Sequence, residues 1–244
     1  MGSFNAAIVS ACGIACMLFA TVAPAQRNVV VTRTYDNPDQ GVGAEYRKDI
    51  AAANKALLDD HDLERAAGLL APVTRYCDQL QRPGRVAVSV ASAAEYDRYM
   101  ADHGDGIPVE WIDQACPDGY KAAAFLQVER KQYDAALPLL EKAIAMAPYW
   151  PDGLVEQGFV LNQEHHSREA LASYRKALAL AESFEAGRQM KAMALRGIGY
   201  SLVELGDLAG ARQAYQQSLE VEPGNETALN ELDYIEQREA KAQP

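Results

Sequence analysis

The stretch Leu195 to Asn225, LRGIGYSLVELGDLAGARQAYQQSLEVEPGN, sets large and small residues in an order that recurs earlier in the chain. Its first half places Leu195, Ile198, Gly199 and Leu202 at helical spacing, and its second half does the same with Ala211, Tyr215 and Ser218 before Pro223 ends the unit. Gly206-Asp207 supplies the turn between them. The segment therefore reads as a helical hairpin. Gly199 and Ala211 remove side-chain bulk where the two axes would cross, so the pair is expected to be tight and antiparallel. The same template placed 41 residues earlier finds Leu154, Gln157, Gly158 and Leu161, then Ala170, Tyr174 and Ala177. A further 34 residues back it finds Tyr120, Ala123, Ala124 and Gln127, then Ala136, Leu140, Ala143 and a terminating Pro148. A period of 34 with seven residues inserted once confines the chain to stacked hairpins, each burying its neighbour's apolar face. An unrelated antiparallel bundle has no need of a fixed period.

This pattern resembles the tetratricopeptide repeat family, whose signature is a large residue, a Leu-Gly pair and a Tyr on one helix, then Ala, an aromatic and Pro on the next. The resemblance covers 117–225. The first copy departs from it with Ala124 in place of Gly, and the second with Glu182 in place of Pro. The fold it implies is all-α, a superhelical stack of three hairpins. The function it implies is a protein-protein interaction scaffold that takes an extended or helical segment of another protein in a concave groove lined by the first helices.

The rest of the chain is read around this stack. Residues 1–25 contain no charged side chain, and their apolar run ends in Ala23-Pro24-Ala25, a small-x-small pattern before Gln26. This reads as an export signal cleaved after Ala25, placing the body in the periplasm or outside the cell. The n-region lacks Lys and Arg, so an uncleaved membrane anchor is the alternative, with Arg27 and Arg33 as the nearest positive charges. Val9-Ser10-Ala11-Cys12 offers a weaker lipidation reading. Residues 26–43 alternate briefly from Val29 to Tyr35, then fall into Asn37-Pro38-Asp39 and Gly41-Val42-Gly43, and read as a linker. From 44 to 116 a small α(+β) cap module is expected. Ile50, Ala53 and Leu57, then Ala66, Leu70 and Val73, make a degenerate hairpin around Asp59-Asp60-His61-Asp62. An insertion follows, with Val86, Val88 and Val90 alternating, Ser92 and Glu95 as a capping box, and Val109 to Ile112 extended. Its expected role is to hold the N-terminal hairpin on the first repeat. Residues 226–244 carry Leu229, Leu232 and Ile235 at helical spacing and read as a capping helix that covers the last hairpin, or alternatively docks a partner.

Charge and chemistry narrow the function. With 34 acidic against 23 basic residues the formal net charge is -11, which supplies no footprint for nucleic acid and disfavours an anionic membrane surface. Membrane contact is expected only through an uncleaved N-terminal segment. Without the leader the chain keeps Cys77 and Cys116, which in an oxidising compartment suggest a disulfide worth on the order of 4 kcal/mol in the chain-entropy model. Two buried thiols are the alternative. His165-His166 falls in a turn, where adjacent side chains do not share one ligand face, and the Asp59 to Asp62 cluster lacks calcium-loop spacing. No metal or cofactor is expected. Asn225-Glu226-Thr227 fits a glycosylation triplet of low specificity. An enzyme is not expected; the rival reading would place a site in residues 83–116, with Cys116, Glu110 or Asp113 as actors and His103 as the nearby base. A second rival is a structural subunit of an envelope assembly.

Counting outward from Tyr120, Leu154 and Leu195 as buried positions, the groove of such a stack would be lined by Lys121, Phe125 and Val128, by Val155, Phe159 and Asn162, and by Arg196, Tyr200 and Val203. An aromatic recurs in register as Phe125, Phe159 and Tyr200, flanked by the cations Lys121 and Arg196. These rings could alternatively pack between neighbouring first helices. Relatives that clamp a C-terminal carboxylate use basic and Asn side chains where this chain has Phe125, Glu156, Met193 and Gly197, so such a tail is an unsuitable ligand. A protein or peptide partner of other chemistry is the expectation.

Overall fold

The computed structural model describes residues 29–30, 41–103 and 106–242. The leader read over 1–25 lies outside them, as does most of 26–43. Three hairpins occupy the positions set by the period: α4 (Ala115–Glu129) with α5 (Tyr133–Met146), α6 (Pro151–Gln163) with α7 (Ser167–Ser183), and α8 (Lys191–Glu204) with α9 (Leu208–Val221). A final helix, α10 (Glu226–Ala242), packs on α9. The molecule is mostly helical, a superhelical stack of hairpins. Among the described residues no helix is long and apolar enough to cross a membrane.

The small residues of the template are small because a tyrosine ring lies against them. A Cβ on Gly158 would stand 2.7 Å from the Tyr174 ring, and one on Gly199 would stand 2.7 Å from the Tyr215 ring. Tyr174 also presses on Gly197 of the next hairpin, where a Cβ would come within 2.2 Å. The first hairpin tolerates Ala124 at the equivalent place because its partner is Leu140, and the two share an apolar cluster with Ala136 and Val160. Glycine and ring are exchanged for alanine and a smaller side chain together.

The seven inserted residues also have a local cause. With Glu182 where the other copies have proline, α7 runs on to Ser183, and the chain then turns through a 3-10 segment, Glu185–Met190, before α8 begins. Within the hairpins the turns share one device. Lys131, His165 and Gly206 each adopt a left-handed backbone (φ 58°, 62° and 83°), the conformation that sends the chain back antiparallel. His165-His166 thus occupies the place of Gly206-Asp207, a turn position rather than a ligand pair.

An N-terminal hairpin, α1 (Arg47–Leu58) and α2 (Leu63–Leu80), uses the same turn at His61 (φ 51°). Asp62 accepts a hydrogen bond from the Arg65 N–H, as Asp207 does from the Gly210 N–H. Asp60 pairs with Lys55 at 2.6 Å and Arg65 at 3.3 Å, so the Asp59 to Asp62 cluster serves the turn and its cap. The hairpin stacks directly on α4, with Ala53, Leu57, Ala66 and Leu70 against Ala122, Ala123 and Leu126. Cys77 of α2 and Cys116 of α4 are joined by a disulfide.

The insertion contributes β2 (Val86–Val88), α3 (Ala93–Asp102) and β3 (Val109–Trp111). Ser92 accepts from the Glu95 N–H and Glu95 accepts from the Ala91 N–H, a reciprocal cap at the start of α3. One expectation is corrected here. Val29–Val30 is not linker but a strand, β1, parallel to β3 in a sheet of order β1-β3-β2, and Val42 bridges Ile112 beyond it. The insertion meets the hairpin on either side of it: Ala87 and Ile112 share a cluster with Ile50, Val73, Cys77 and Leu80 of the N-terminal hairpin, and its rings meet the second repeat, with Tyr99 against Trp111 and Tyr149, and Tyr149 against Phe184.

Gly199→Leu should destabilise the chain by roughly 1–3 kcal/mol through overpacking against Tyr215. Gly199→Ala should cost less in a Tyr215→Leu background than alone, reproducing the Ala124 and Leu140 pair, and a double-mutant cycle of urea unfolding measures that coupling. Additive effects would separate the glycine from the ring.

Candidate functional site

The first helices α4, α6 and α8 line one side of the stack, and α10 closes its end. Between them lies an open cavity of about 460 Å³. Its floor and walls carry Phe125, Val155, Phe159, Met193 and Tyr200, with Glu156, Arg196 and Glu231 as the charged residues. Phe159, Met193 and Tyr200 are 42%, 44% and 39% exposed, although they are large apolar side chains next to buried ones. Phe125 is half-buried and packs toward the N-terminal hairpin, whereas Phe159 and Tyr200 present open faces.

Six of the nine groove positions read from spacing meet in this cavity: Phe125, Val155, Phe159, Asn162, Arg196 and Tyr200. The other three do not. Val203 is buried in the core with Leu202 and Ile198, and Val128 packs beside Ala124 and Leu140. Lys121 is drawn aside by Asp152, whose Oδ1 accepts from its Nζ at 3.2 Å, and the ammonium lies over the Trp150 ring at 4.8 Å. Arg196 lines the cavity but is not a free cation, because its Nη1 donates to Glu222 Oε2 at 2.5 Å. Asn162 is buried and structural: its Nδ2 donates to Ser201 Oγ at 3.1 Å, and the Ser201 hydroxyl donates to the Gly197 carbonyl at 2.9 Å, tying α6 to α8.

Spacing also missed a wall. Thr227 and Glu231 of α10 line the cavity, so the terminal helix both covers the last hairpin and borders the groove. It docks through Ala228 and Ile235, which are fully buried, with Leu232 packed beside them; Leu229, counted in its apolar stripe, is 45% exposed. An acidic residue at 231 on a helix read as a cap was the available signal.

The charged groups around α4 and α6 are uneven. Among the described residues, Lys121 is the ammonium that acts on Asp118, Asp152 and Glu156. Burial pushes the Asp118 carboxyl from its ordinary 3.8 up to about 6, a rise that Lys121 opposes and the neighbouring Asp152 and Asp113 reinforce. Asp152 Oδ2 is buried without a hydrogen-bond partner. Burial likewise lifts Glu156 above the ordinary glutamate range, against Lys121 and with Asp152, and lifts Glu231, with Glu204 adding to it.

The residues named as possible catalytic actors are engaged elsewhere. Cys116 is buried and bonded to Cys77, leaving no thiol to attack. Glu110 pairs with Arg85 at 3.0 Å. Asp113 is held by Arg47 through both carboxylate oxygens and accepts from the Ala115 N–H at 2.9 Å, fixing the start of α4. The His103 ring stacks on Tyr99 at 4.0 Å.

Residues 197–225 match the tetratricopeptide repeat family model. The third hairpin is a tetratricopeptide repeat. Among solved structures, the stack of hairpins resembles pilF of Pseudomonas aeruginosa, at a TM-score of 0.58 and 14% identity over 82% of this chain and 71% of the other. It also resembles a Podosopora anserina protein of nearly identical TPR-like repeats, at a TM-score of 0.56 and 13% identity over 85% and 90% of the two chains. These likenesses are of fold. No curated protein matches the sequence.

Asp118, in the first turn of α4, should be visible in a pH titration of stability. Its folded value lies above its unfolded one, so between about pH 4 and pH 6 the unfolded chain releases the proton first and stability falls as pH rises. Asp118→Asn should therefore raise stability near pH 7 by on the order of 1 kcal/mol and give no gain below about pH 4, as read by urea unfolding at the two values. A gain that is the same at both would place the effect outside its ionisation.

Proposed function

We propose that this chain is a non-enzymatic scaffold that holds a segment of a partner protein in the cavity between α4, α6, α8 and α10. The observation that carries the reading is the exposure of Phe159, Met193 and Tyr200 together on one concave surface. Apolar rings left in contact with water around a preformed cavity gain free energy when another apolar surface covers them, and side chains of a peptide are of a size to do so. The floor is rigid. Tyr174 and Tyr215 sit beneath it in their glycine slots, and the Asn162 to Ser201 bond joins two of its helices, so little ordering is left to oppose binding.

Short random peptides displayed on phage should be retained by the protein. Replacing Phe159 and Tyr200 together by Ala should weaken the recovered peptides at least tenfold, measured by fluorescence polarisation, with little change in thermal unfolding because both rings are surface-exposed. Peptides indifferent to the double substitution would displace the site from this groove.

We also infer that the body works outside the cytosol. The support is the apolar run of 1–25 ending in Ala23-Pro24-Ala25, together with the Cys77 to Cys116 pair, since disulfides persist in oxidising compartments. Expressed in a Gram-negative host, the protein should be recovered from the envelope or periplasm with Gln26 as its first residue. A chain found in the cytosol with its thiols free to alkylation would contradict this.

A further inference from the structure

The charges of the groove are out of balance, and the imbalance selects a partner. Three charged residues line the cavity: Glu156, Arg196 and Glu231. Arg196 is already neutralised by Glu222. Lys121, the cation that acts on Glu156, is held by Asp152 and laid over Trp150. Glu156 and Glu231 each make no ion pair among the described residues, and both stand beside apolar side chains with carboxylates as neighbours, Asp152 for the first and Glu204 for the second. An unpaired carboxylate in partly desolvated surroundings is unfavourable until a cation meets it.

We propose that the segment this groove accepts carries a lysine or arginine set among large apolar side chains, the apolar groups covering Phe159, Met193 and Tyr200 and the cation meeting the carboxylates of Glu156 and Glu231. This rests on the groove reading above and adds to it the chemistry of the partner. The formal net charge of -11 works in the same direction, drawing a basic segment toward the chain and repelling an acidic one. A segment rich in Asp and Glu, or ending in a free carboxylate in the cavity, would set like charge against Glu156 and Glu231. The elevated carboxyl values of the free protein agree with sites that lack their counter-ion.

The experiment uses the full chain and a phage-displayed library of random peptides. Recovered sequences should be enriched in Lys or Arg adjacent to Phe, Leu, Met or Tyr. A synthetic copy of the strongest binder should lose about tenfold in affinity when its basic residue is replaced by norleucine, and should bind about tenfold more weakly to Glu156→Gln combined with Glu231→Gln. That double variant should unfold at a temperature no lower than the parent, because it removes two unpaired charges without changing side-chain volume. Raising the salt concentration should weaken the parent complex more than the variant complex. Peptides that depend on Phe159 and Tyr200 but are acidic, or that ignore the two glutamate substitutions, would overturn the polarity and leave the groove standing. Peptides that ignore the aromatic residues as well would overturn both. Sedimentation showing a second copy of the chain seated in the groove would likewise overturn it.

Discussion

The contact on which the stack depends is the Tyr174 ring held between Gly158 of its own hairpin and Gly197 of the next. A Cβ at either glycine would stand within 2.7 Å of that ring, well inside contact distance. The aromatic therefore sets how closely α6 approaches α7 and how closely α8 follows. Tyr215 and Gly199 repeat the arrangement one hairpin on. Interiors are packed densely enough that such slots do not stretch, so the angle between neighbouring hairpins, and with it the shape of the concave surface, follows from a few ring-to-backbone contacts.

That surface joins two properties that rarely coexist on a stable protein. It exposes several large apolar side chains, and it places carboxylates beside them with the available cations tied elsewhere. Neither property helps the isolated chain fold. The apolar exposure forgoes burial, and the partly desolvated carboxylates oppose it near neutral pH. Sites that contradict the rules followed by the rest of a fold are where function is concentrated. The opposite end of the chain shows the contrast: Asp113 is paired with Arg47, and Asp78 with Lys142 and the Tyr120 hydroxyl, and these arrangements brace helices.

The N-terminal part shows two solutions to the problem of ending a repeat stack. The α1 and α2 hairpin covers the apolar face of α4 in the manner of a further repeat and is tied to it by Cys77 and Cys116. The insertion packs its aromatic residues against Tyr149 and Phe184, at the edge of the second hairpin, and the Ser89 N–H donates to the Met146 carbonyl at the end of α5. At the other end α10 buries Ala228 and Ile235 and gives its acidic face to water and to the groove.

The sequence by itself determined the hairpins, their period and their turns, because those depend on local order: apolar residues at helical spacing, proline after a helix, a small residue where a ring must fit. It also exposed the aromatic register of Phe125, Phe159 and Tyr200. Tertiary structure decided which side chains reach the groove. Val203 lies one turn from Tyr200 yet turns into the core, because a helix presents its residues to whatever packs against it and α8 meets α9 on that side. The sign of the groove was decided there too: Lys121 and Arg196 read as its cations until Asp152 and Glu222, distant in sequence, took up their charges. Ion pairs between separate helices, and the wall supplied by α10, follow from how the hairpins stack, which no spacing within one helix records.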